Sequence, residues 1–550
     1  MAFIVKKKIR EKEYFYLNEN KRVSGKVKTK TLAYLGKTRG GAEKRAEEIL
    51  NSKKLDKKIN EEMEQQKISI EELTAFCKRK GFVYQSGEIY GGLAGFWDFG
   101  HLGVELKNNL KKEWWKYHVY QREDMVGIDG SIITHPQVWK ASGHVDSFSD
   151  IFVVCKKCKK PSKIDKNEIG TAKCDFCGGS FDEKTAKEFK LMFKIQIGES
   201  AESYLRPETA QLIFTNFKFV YENARMKLPF GIAQIGKAFR NEIAPRDFLF
   251  RSREFEQMEI EYFIKPDSKC PYEVLDDEIL IYSAEAQEKN IVPSIMKIKD
   301  ALVKGIIKKD WHAYWLATEF NFFKNLGANP KNFRIRQHKK TELAHYSSDC
   351  WDLEYNFPFG WKEIEGIADR EDYDLSQHEK FSKKDLKVFD SDSKEKILPH
   401  VICEPSLGVE RAFLVFMFDS FFFDNKRKNT ILKLHPKLSP VKAAIFPIVK
   451  KTEFENMAKK IFEDLRKDLH VVYDESGSIG KRYARNDEIG TPFCITVDGD
   501  SLKNNEVTVR ERNSGEQVKI KIKNLKECLK KAVEGENILG FGKIINTRKK

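Results

Sequence analysis

The chain has 550 residues, 41% of them hydrophobic and 33% charged, with 99 Lys+Arg against 83 Asp+Glu and a formal net charge of +16. One hydrophobic core cannot organise that length, so three or four domains are expected, and the basic balance favours a polyanionic partner without naming a reaction. An apolar start of only Ala2 to Val5 before three lysines excludes a secretory core, and the most apolar run, Ala412 to Phe423, is broken by Asp419 and too short to span a bilayer, so a cytoplasmic, non-membrane protein with reduced thiols is expected.

Residues 1 to about 65 read as a basic N-terminal extension and linker. In it "YFYL" and "VKTKTLAYL" alternate around "NENKRVSG", the pattern of a small hairpin unit, and a helix is expected from Ala42. The stretch from Asn51 to Lys67, rich in Lys, Glu, Asp, Asn and Gln, reads as an exposed helix or a linker. From about 66 to 434 a second domain is expected. It opens on the helical spacing of "EELTAFCKRKGF" and continues, after the glycine-rich "IYGGLAGFWDFGHLG", with the helix "GVELKNNLKKEWW". Strand-like segments gather between 190 and 265, and a helical insertion is expected at about 266 to 330. Beyond a boundary near His435 to Pro440, "KAAIFPIV", a helix, "HVVYD" and "PFCITVD" outline a compact α/β unit over 435 to 550.

Cys155, Cys158, Cys174 and Cys177 form two C-x2-C pairs with fifteen residues between them, inside a segment of about 150 to 190. This spacing wraps four thiolates around zinc (Zn²⁺), and the glycines of "CGGS" suit a tight knuckle. Four protein ligands leave no open coordination position, so the metal is expected to be structural. The remaining cysteines, among them Cys350 and Cys403, are scattered and read as buried thiols.

The stretch "FRNEIAPRDFLFRSREFEQMEIEYF", Phe239 to Phe263, carries four arginines and five glutamates in residues that otherwise read as strand. A period of two sets Phe255, Gln257, Glu259 and Glu261 on one face and Glu256, Met258, Ile260 and Tyr262 on the other. A preceding strand with Gln234, Arg240 and Glu242 on a shared face would pair with it antiparallel. Such a face is either merely solvated or built for a ligand carrying both signs of charge. A third element, "CEPSLGVERAFLVFMF", ends a strand at Ser406 and Gly408 and opens a helix at Arg411. Two guanidiniums on separate elements can grip different phosphates of one nucleotide, and an aromatic ring between them can stack on its base.

These residues carry a resemblance. Phe239 to Glu242 with Arg251 and Phe255 resembles motif 2 of class II aminoacyl-tRNA synthetases, and Gly408 to Arg411 resembles motif 3. "SGEIYGGLAGFWDFGHLGVELKNNL", "YLRPETAQ", "KLPFGIAQIGKAFRNEI", "REFEQMEIEYF", "EIEGIADREDYDL", "EPSLGVER" and "GSIGKRYARNDEIGTPFCITVD" look like blocks of homodimeric-type glycyl-tRNA synthetases, in the family's order from about residue 70 onward. The resemblance implies an α+β fold: an antiparallel sheet flanked by helices, with the zinc knuckle inserted and a C-terminal α/β anticodon-binding domain. It implies ATP-dependent attachment of glycine to tRNA(Gly) through glycyl-adenylate, with Mg²⁺ and a homodimer.

Carried over position by position, the resemblance gives Arg240 the α-phosphate of ATP and the glycine carboxylate, and Arg411 the γ-phosphate, as the catalytic pair. Phe255 would stack on adenine. Asn241, Glu242, Phe250, Arg251, Glu363 and Ile364 would complete the ATP site, with Glu363 near Mg²⁺. Glu208, Gln257, Glu259, Glu404 and Ser406 match the glycine-binding positions, where carboxylates suit the ammonium group and crowding excludes a methyl. The loop over Pro245, Arg246 and Asp247 would lie near the tRNA acceptor end. One departure is "FGHLG": His101 stands where the family commonly has proline in its dimer-forming first motif. The first 65 residues lie outside this resemblance and look similar to basic leader segments of some transposases, so nucleic-acid contact is expected there, or packing on the body. The alternative to an enzyme is a synthetase-like nucleic-acid-binding accessory protein without catalysis, which would not need Arg240 and Arg411.

Overall fold

The computed structural model describes residues 2–9, 12–23, 26–36, 40, 68–164, 169–174, 176–390 and 393–545. The chain divides into two units, Met1–Lys67 and Ile68–Lys550. Within the first, Ala2–Ile9, Lys12–Val23 and Lys26–Gly36 form an antiparallel sheet in that order, so a third strand joins the expected hairpin. "NENKRV" is strand rather than turn, because the ladder continues through it from Asn18↔Thr31 to Val23↔Lys26. The helix expected from Ala42 and the stretch 51–67 lie outside the described residues.

The second unit is built on a nine-stranded sheet. In chain order its strands are β1 (Met125–Ile128), β2 (Phe230–Phe239), β3 (Glu254–Ile264), β4 (Glu278–Tyr282), β5 (Ser294–Lys297), β6 (Phe333–Gln337), β7 (Asp349–Phe357), β8 (Gly360–Asp369) and β9 (His400–Gly408). They lie side by side as β5-β4-β6-β7-β8-β9-β3-β2-β1. All neighbours are antiparallel except β1 with β2 and β4 with β6. Both strands β4 and β5 come from the segment expected to be helical. Its one long helix, α3 (Asp310–Asn325), instead packs on the sheet those strands extend.

Strand alternation separates two faces. Met258, Ile260 and Tyr262 of β3, Leu353 and Tyr355 of β7, Ile367 of β8 and Leu407 of β9 join one core with α1 (His101–Trp115), α3 and α5 (Val409–Ser420). The polar positions of the same strands are left on the opposite face. Between β1 and β2, α2 (Ala210–Ala224) occupies part of the region read as strand. Its aromatic and β-branched residues suggest a strand, but Ile213, Phe214 and Phe217 recur at helical spacing and bury against Phe230 and Phe263, beside Leu375 of α4 (Tyr373–Ser382).

His101 opens α1 without proline. Gly100 holds the N-cap in extended conformation, and at Gly103 a Cβ would meet the Phe82 carbonyl oxygen at 1.8 Å. The apolar run from Ala412 stays helical to Ser420 and then turns into the strand Phe421–Asp424.

Past residue 442, a six-stranded sheet in the order Val471–Tyr473, Ala443–Pro447, Phe493–Val497, Glu506–Glu511, Gln517–Lys521, Lys543–Ile545 carries its own core with the helices Thr452–Leu465 and Ile522–Glu534. Arg512, almost fully buried, fastens it: Nη2 donates to the Leu434 carbonyl at 2.6 Å and Nη1 to that of Gly490 at 2.6 Å.

Candidate active site

The polar face of β3, β7, β8 and β9 floors a cavity of about 500 Å³. Its wall includes Glu208, Arg240, Glu242, Phe250, Arg251, Phe255, Gln257, Glu259, Glu363, Glu404, Ser406 and Arg411. Twelve of the expected site residues thus converge from segments up to two hundred positions apart. Asn241 and Ile364 do not line it. The Asn241 backbone N–H is used by the Leu191 carbonyl at 2.7 Å. Ile364 is the extra residue of a bulge between β7 and β8, and its side chain is fully buried in the core beneath the sheet. Glu261 continues the polar alternation of β3 but is sealed at 0% exposure.

At one end of the cavity are the two arginines. Arg240 leaves β2 with Nε donating to the Pro207 carbonyl at 3.0 Å, and its guanidinium lies 5.3 Å from the centre of the Phe255 ring. Arg411, in the first turn of α5, is held by the Glu363 carbonyl (3.0 Å) and carboxylate (3.1 Å), and its guanidinium lies 4.7 Å from the Phe250 ring centre. Desolvation at the cavity wall pushes the half-exposed Glu363 carboxyl up, but Arg411 and His338 offset this and hold it below the ordinary carboxylate range. Arg251 grips Glu242 through Nε at 2.8 Å and Nη2 at 2.7 Å.

The other end is crowded with carboxyl groups. Ser406 donates to Glu259 Oε1 at 2.7 Å, Gln257 Nε2 donates to Ser406 Oγ at 3.0 Å, and Thr209 also hydrogen-bonds Glu259. Glu208 lies 3.2 Å from His144 Nε2 and accepts from Gln211 Nε2 at 3.1 Å. One buried cation organises the group: Arg370 binds Asp374 through two nitrogens at 2.7 and 2.9 Å and Glu404 at 2.7 Å. The carboxyls are shifted in opposite directions. Burial pushes Glu259 and Glu404 up, Glu404 far above its usual range despite Arg370. Burial acts on Glu208 too, but His144, Arg370 and Arg240 more than offset it and hold that carboxyl well below the ordinary range.

Two family models match this chain: "tRNA synthetase class II core domain (G, H, P, S and T)" over residues 193–420 and "Anticodon binding domain" over residues 442–532. Among curated relatives, the "Glycine--tRNA ligase" of Borreliella burgdorferi is 45% identical over 474 residues, covering 84% of this chain and 97% of the relative. Those of Acetivibrio thermocellus (44% over 493 residues) and Thermobifida fusca (41% over 497 residues) cover 84% and 85% of this chain and 97% and 98% of themselves. The chain belongs to the glycine-tRNA ligases.

Reasoning from the sequence missed several residues of this cavity. Arg370 stands inside the quoted block "EIEGIADREDYDL", but a lone arginine at a strand end gave no sign that it would bind Asp374 and Glu404 and approach Glu208. His338, Tyr346, Cys350 and Asp352 line the same cavity, with His338 Nε2 2.8 Å from Asp352 Oδ2. Burial raises the Asp352 carboxyl to about 6. Only the pairing of β6 with β7 brings them there.

The four cysteines also meet. Their sulfurs lie within 4.8 Å of one another, with Cys155 to Cys177 at 3.5 Å and Cys158 to Cys174 at 3.6 Å. They hang from the small sheet of Ser149–Cys155, Pro161–Ile164 and Phe181–Lys190.

Proposed function

We propose that this ligase works by holding a zwitterion against a triphosphate, with Arg240 at their junction. The enzyme attaches glycine to tRNA(Gly) at the expense of ATP. The observation that carries the division of roles is the polarity of one cavity, with arginines at one end and buried carboxyls at the other. In this reading Glu208, Glu259 and Glu404, with Gln257 and Ser406, receive the glycine ammonium, and ATP lies across Phe255 with its phosphates between Arg240 and Arg411.

A glycine carboxylate oxygen then attacks the α-phosphorus, the bond to the β-phosphate oxygen breaks, and pyrophosphate leaves with that electron pair. Arg240 neutralises charge gathering on the α-phosphate, and Arg411 that on the departing group. No protein nucleophile is required, so positioning and fixed charge supply the rate. In the second step the terminal ribose hydroxyl of tRNA takes the glycyl group and AMP leaves. Glu363, an ionised oxygen ligand beside Arg411, fits Mg²⁺, which would neutralise phosphate charge there. Asn241 and Ile364 keep only backbone or supporting roles. The non-catalytic alternative is not favoured, because both arginines are in place.

The cysteine cluster supports a structural zinc. A tetrahedral ion at about 2.3 Å from each sulfur sets the sulfurs roughly 3.8 Å apart, near the 3.5 and 3.6 Å separations of the two close pairs. The "FGHLG" run that opens α1 resembles the family's dimer-forming first motif, and we place a homodimer contact there. Glycine-dependent ATP–pyrophosphate exchange without tRNA tests the core of this reading. It should be present in the intact chain and abolished in Arg240→Ala with unchanged circular dichroism. Exchange that ignores glycine would refute it.

A further inference from the structure

Three side chains on the cavity floor have no part in the chemistry above. Cys350 and Asp352 alternate on β7, so its period of two turns both the same way, and both line the cavity. His338 follows β6 and stands opposite Cys350. Its backbone N–H donates to the Cys350 carbonyl at 2.9 Å, continuing the ladder that pairs Gln337 with Trp351. Strand pairing therefore gathers an imidazole, a thiol and a carboxylate at one spot, with a ligand atom from each within 4.8 Å of the others. Cys350 and Asp352 are 8% and 4% exposed and the His338 side chain 23%, so thiol and carboxyl are set into the floor while the ring borders open space.

The donor set selects the ion. Mg²⁺ prefers a cage of hard oxygens, whereas nitrogen, sulfur and oxygen together suit Zn²⁺ and the transition metals near it. Three protein ligands with one position open to a cavity make a reactive type of zinc site, unlike the closed four-cysteine cluster. One contact must give: His338 Nε2 lies 2.8 Å from Asp352 Oδ2. Two such ligands of one tetrahedral ion stand about 3.4 Å apart, and the partly exposed ring can swing that far. The surroundings admit a cation. At Gly366 an added Cβ would stand 3.8 Å from Asp352 Oδ1 and 4.0 Å from Glu363 Oε1, so the missing side chain leaves the gap between those carboxylates open. Arg336 comes within 3.7 Å of Asp352 but binds Glu342 at 2.5 Å, and Arg411 is held on Glu363 at 3.1 Å. Asp352 also shares one cross-strand row with Gly366, Ser406 and Glu259. An ion there would lie two strand spacings, about 10 Å, from Ser406.

We propose that His338, Cys350 and Asp352 form a metal site of their own on the cavity floor, for a thiophilic divalent ion such as Zn²⁺. The probe is Co²⁺, titrated under reducing conditions into the full chain and into Cys350→Ser and Asp352→Asn, with bound metal counted after dialysis. The unmodified chain should retain about one ion more than either variant. That additional cobalt should carry a thiolate-to-metal absorption band missing from Cys350→Ser, and Zn²⁺ should displace it where excess Mg²⁺ does not. Equal metal counts in the three proteins would overturn the site, as would a full band in Cys350→Ser. Displacement by Mg²⁺ would overturn the thiophilic assignment. Should Cys350→Ser fail to fold by circular dichroism, Asp352→Asn makes the same comparison of counts. Neither ATP nor glycine enters the experiment, so the site stands or falls apart from the ligase reading.

Discussion

Arg370 illustrates how a single residue sets the chemistry of a site it does not need to enter. Its guanidinium, about 1% exposed, ties Asp374 and Glu404 together and comes within 3.9 Å of Glu208 Oε1. With more carboxyls than cations in a dry space, Glu259 and Glu404 are shifted toward the protonated form, which on the proposed reading an arriving ammonium would oppose. The sign follows: raised carboxyls are protonated at low pH and bind the ammonium in ionised form, so KM for glycine should fall as pH rises. Glu259→Gln should flatten that profile in the exchange assay while weakening glycine binding. Arg411→Ala should lower the exchange kcat by about 10²- to 10³-fold, the usual cost of losing one preorganised charge aimed at the transition state. A larger effect on KM for ATP than on kcat would mean that the residue merely binds.

At the scale of elements, the nine-stranded sheet works because its two faces obey opposite rules. Glu256, one residue from the cavity-facing Phe255, points the other way and pairs with Lys107 at 3.2 Å and Lys111 at 2.9 Å of α1. Gly103 lets α1 approach at all. Gly103→Ala should destabilise the chain by at least about 2 kcal/mol, since the added methyl meets backbone that cannot swing aside; a melting experiment reads this directly. Beneath the sheet, Glu365 of β8 is fully buried, and burial together with Glu319 of α3 pushes its carboxyl far above the usual range. The folded chain then binds more protons than the unfolded one. The stabilising contribution is complete below the unfolded value of about 4.3 and is lost as pH rises toward the folded value. Glu365→Gln removes this dependence, so its melting temperature relative to the unmodified protein should climb between pH 5 and pH 8.

For the whole molecule, charge and modularity are the governing facts. A net charge of +16 should make the tRNA KM rise steeply with salt, whereas tRNA-free exchange should change little. The unit Met1–Lys67 is compact by itself, and its sequence is dense in lysine. Removing it should leave exchange intact and reduce the salt slope of tRNA binding; an unchanged slope would exclude nucleic-acid contact by that unit. Cys174→Ser should lose bound zinc by metal analysis and become protease-sensitive near residues 149–190.

How much was legible in advance follows from the range of the forces involved. Period-two alternation in β3, the paired C-x2-C spacing and the turn from Gly408 into α5 are local, so the residues themselves determined them, and the family with them. The helix α2 was read as strand because aromatic density outweighed a spacing that pays off only when Phe230 and Phe263 arrive to bury it. Strands β4 and β5, the burial of Ile364 and the clustering of His338, Cys350 and Asp352 were settled by pairings between distant segments. So were the opposed pKa shifts of the carboxyls around Arg370. A carboxyl's charge depends on which other charges share its dry space, and only the folded sheet decides that company.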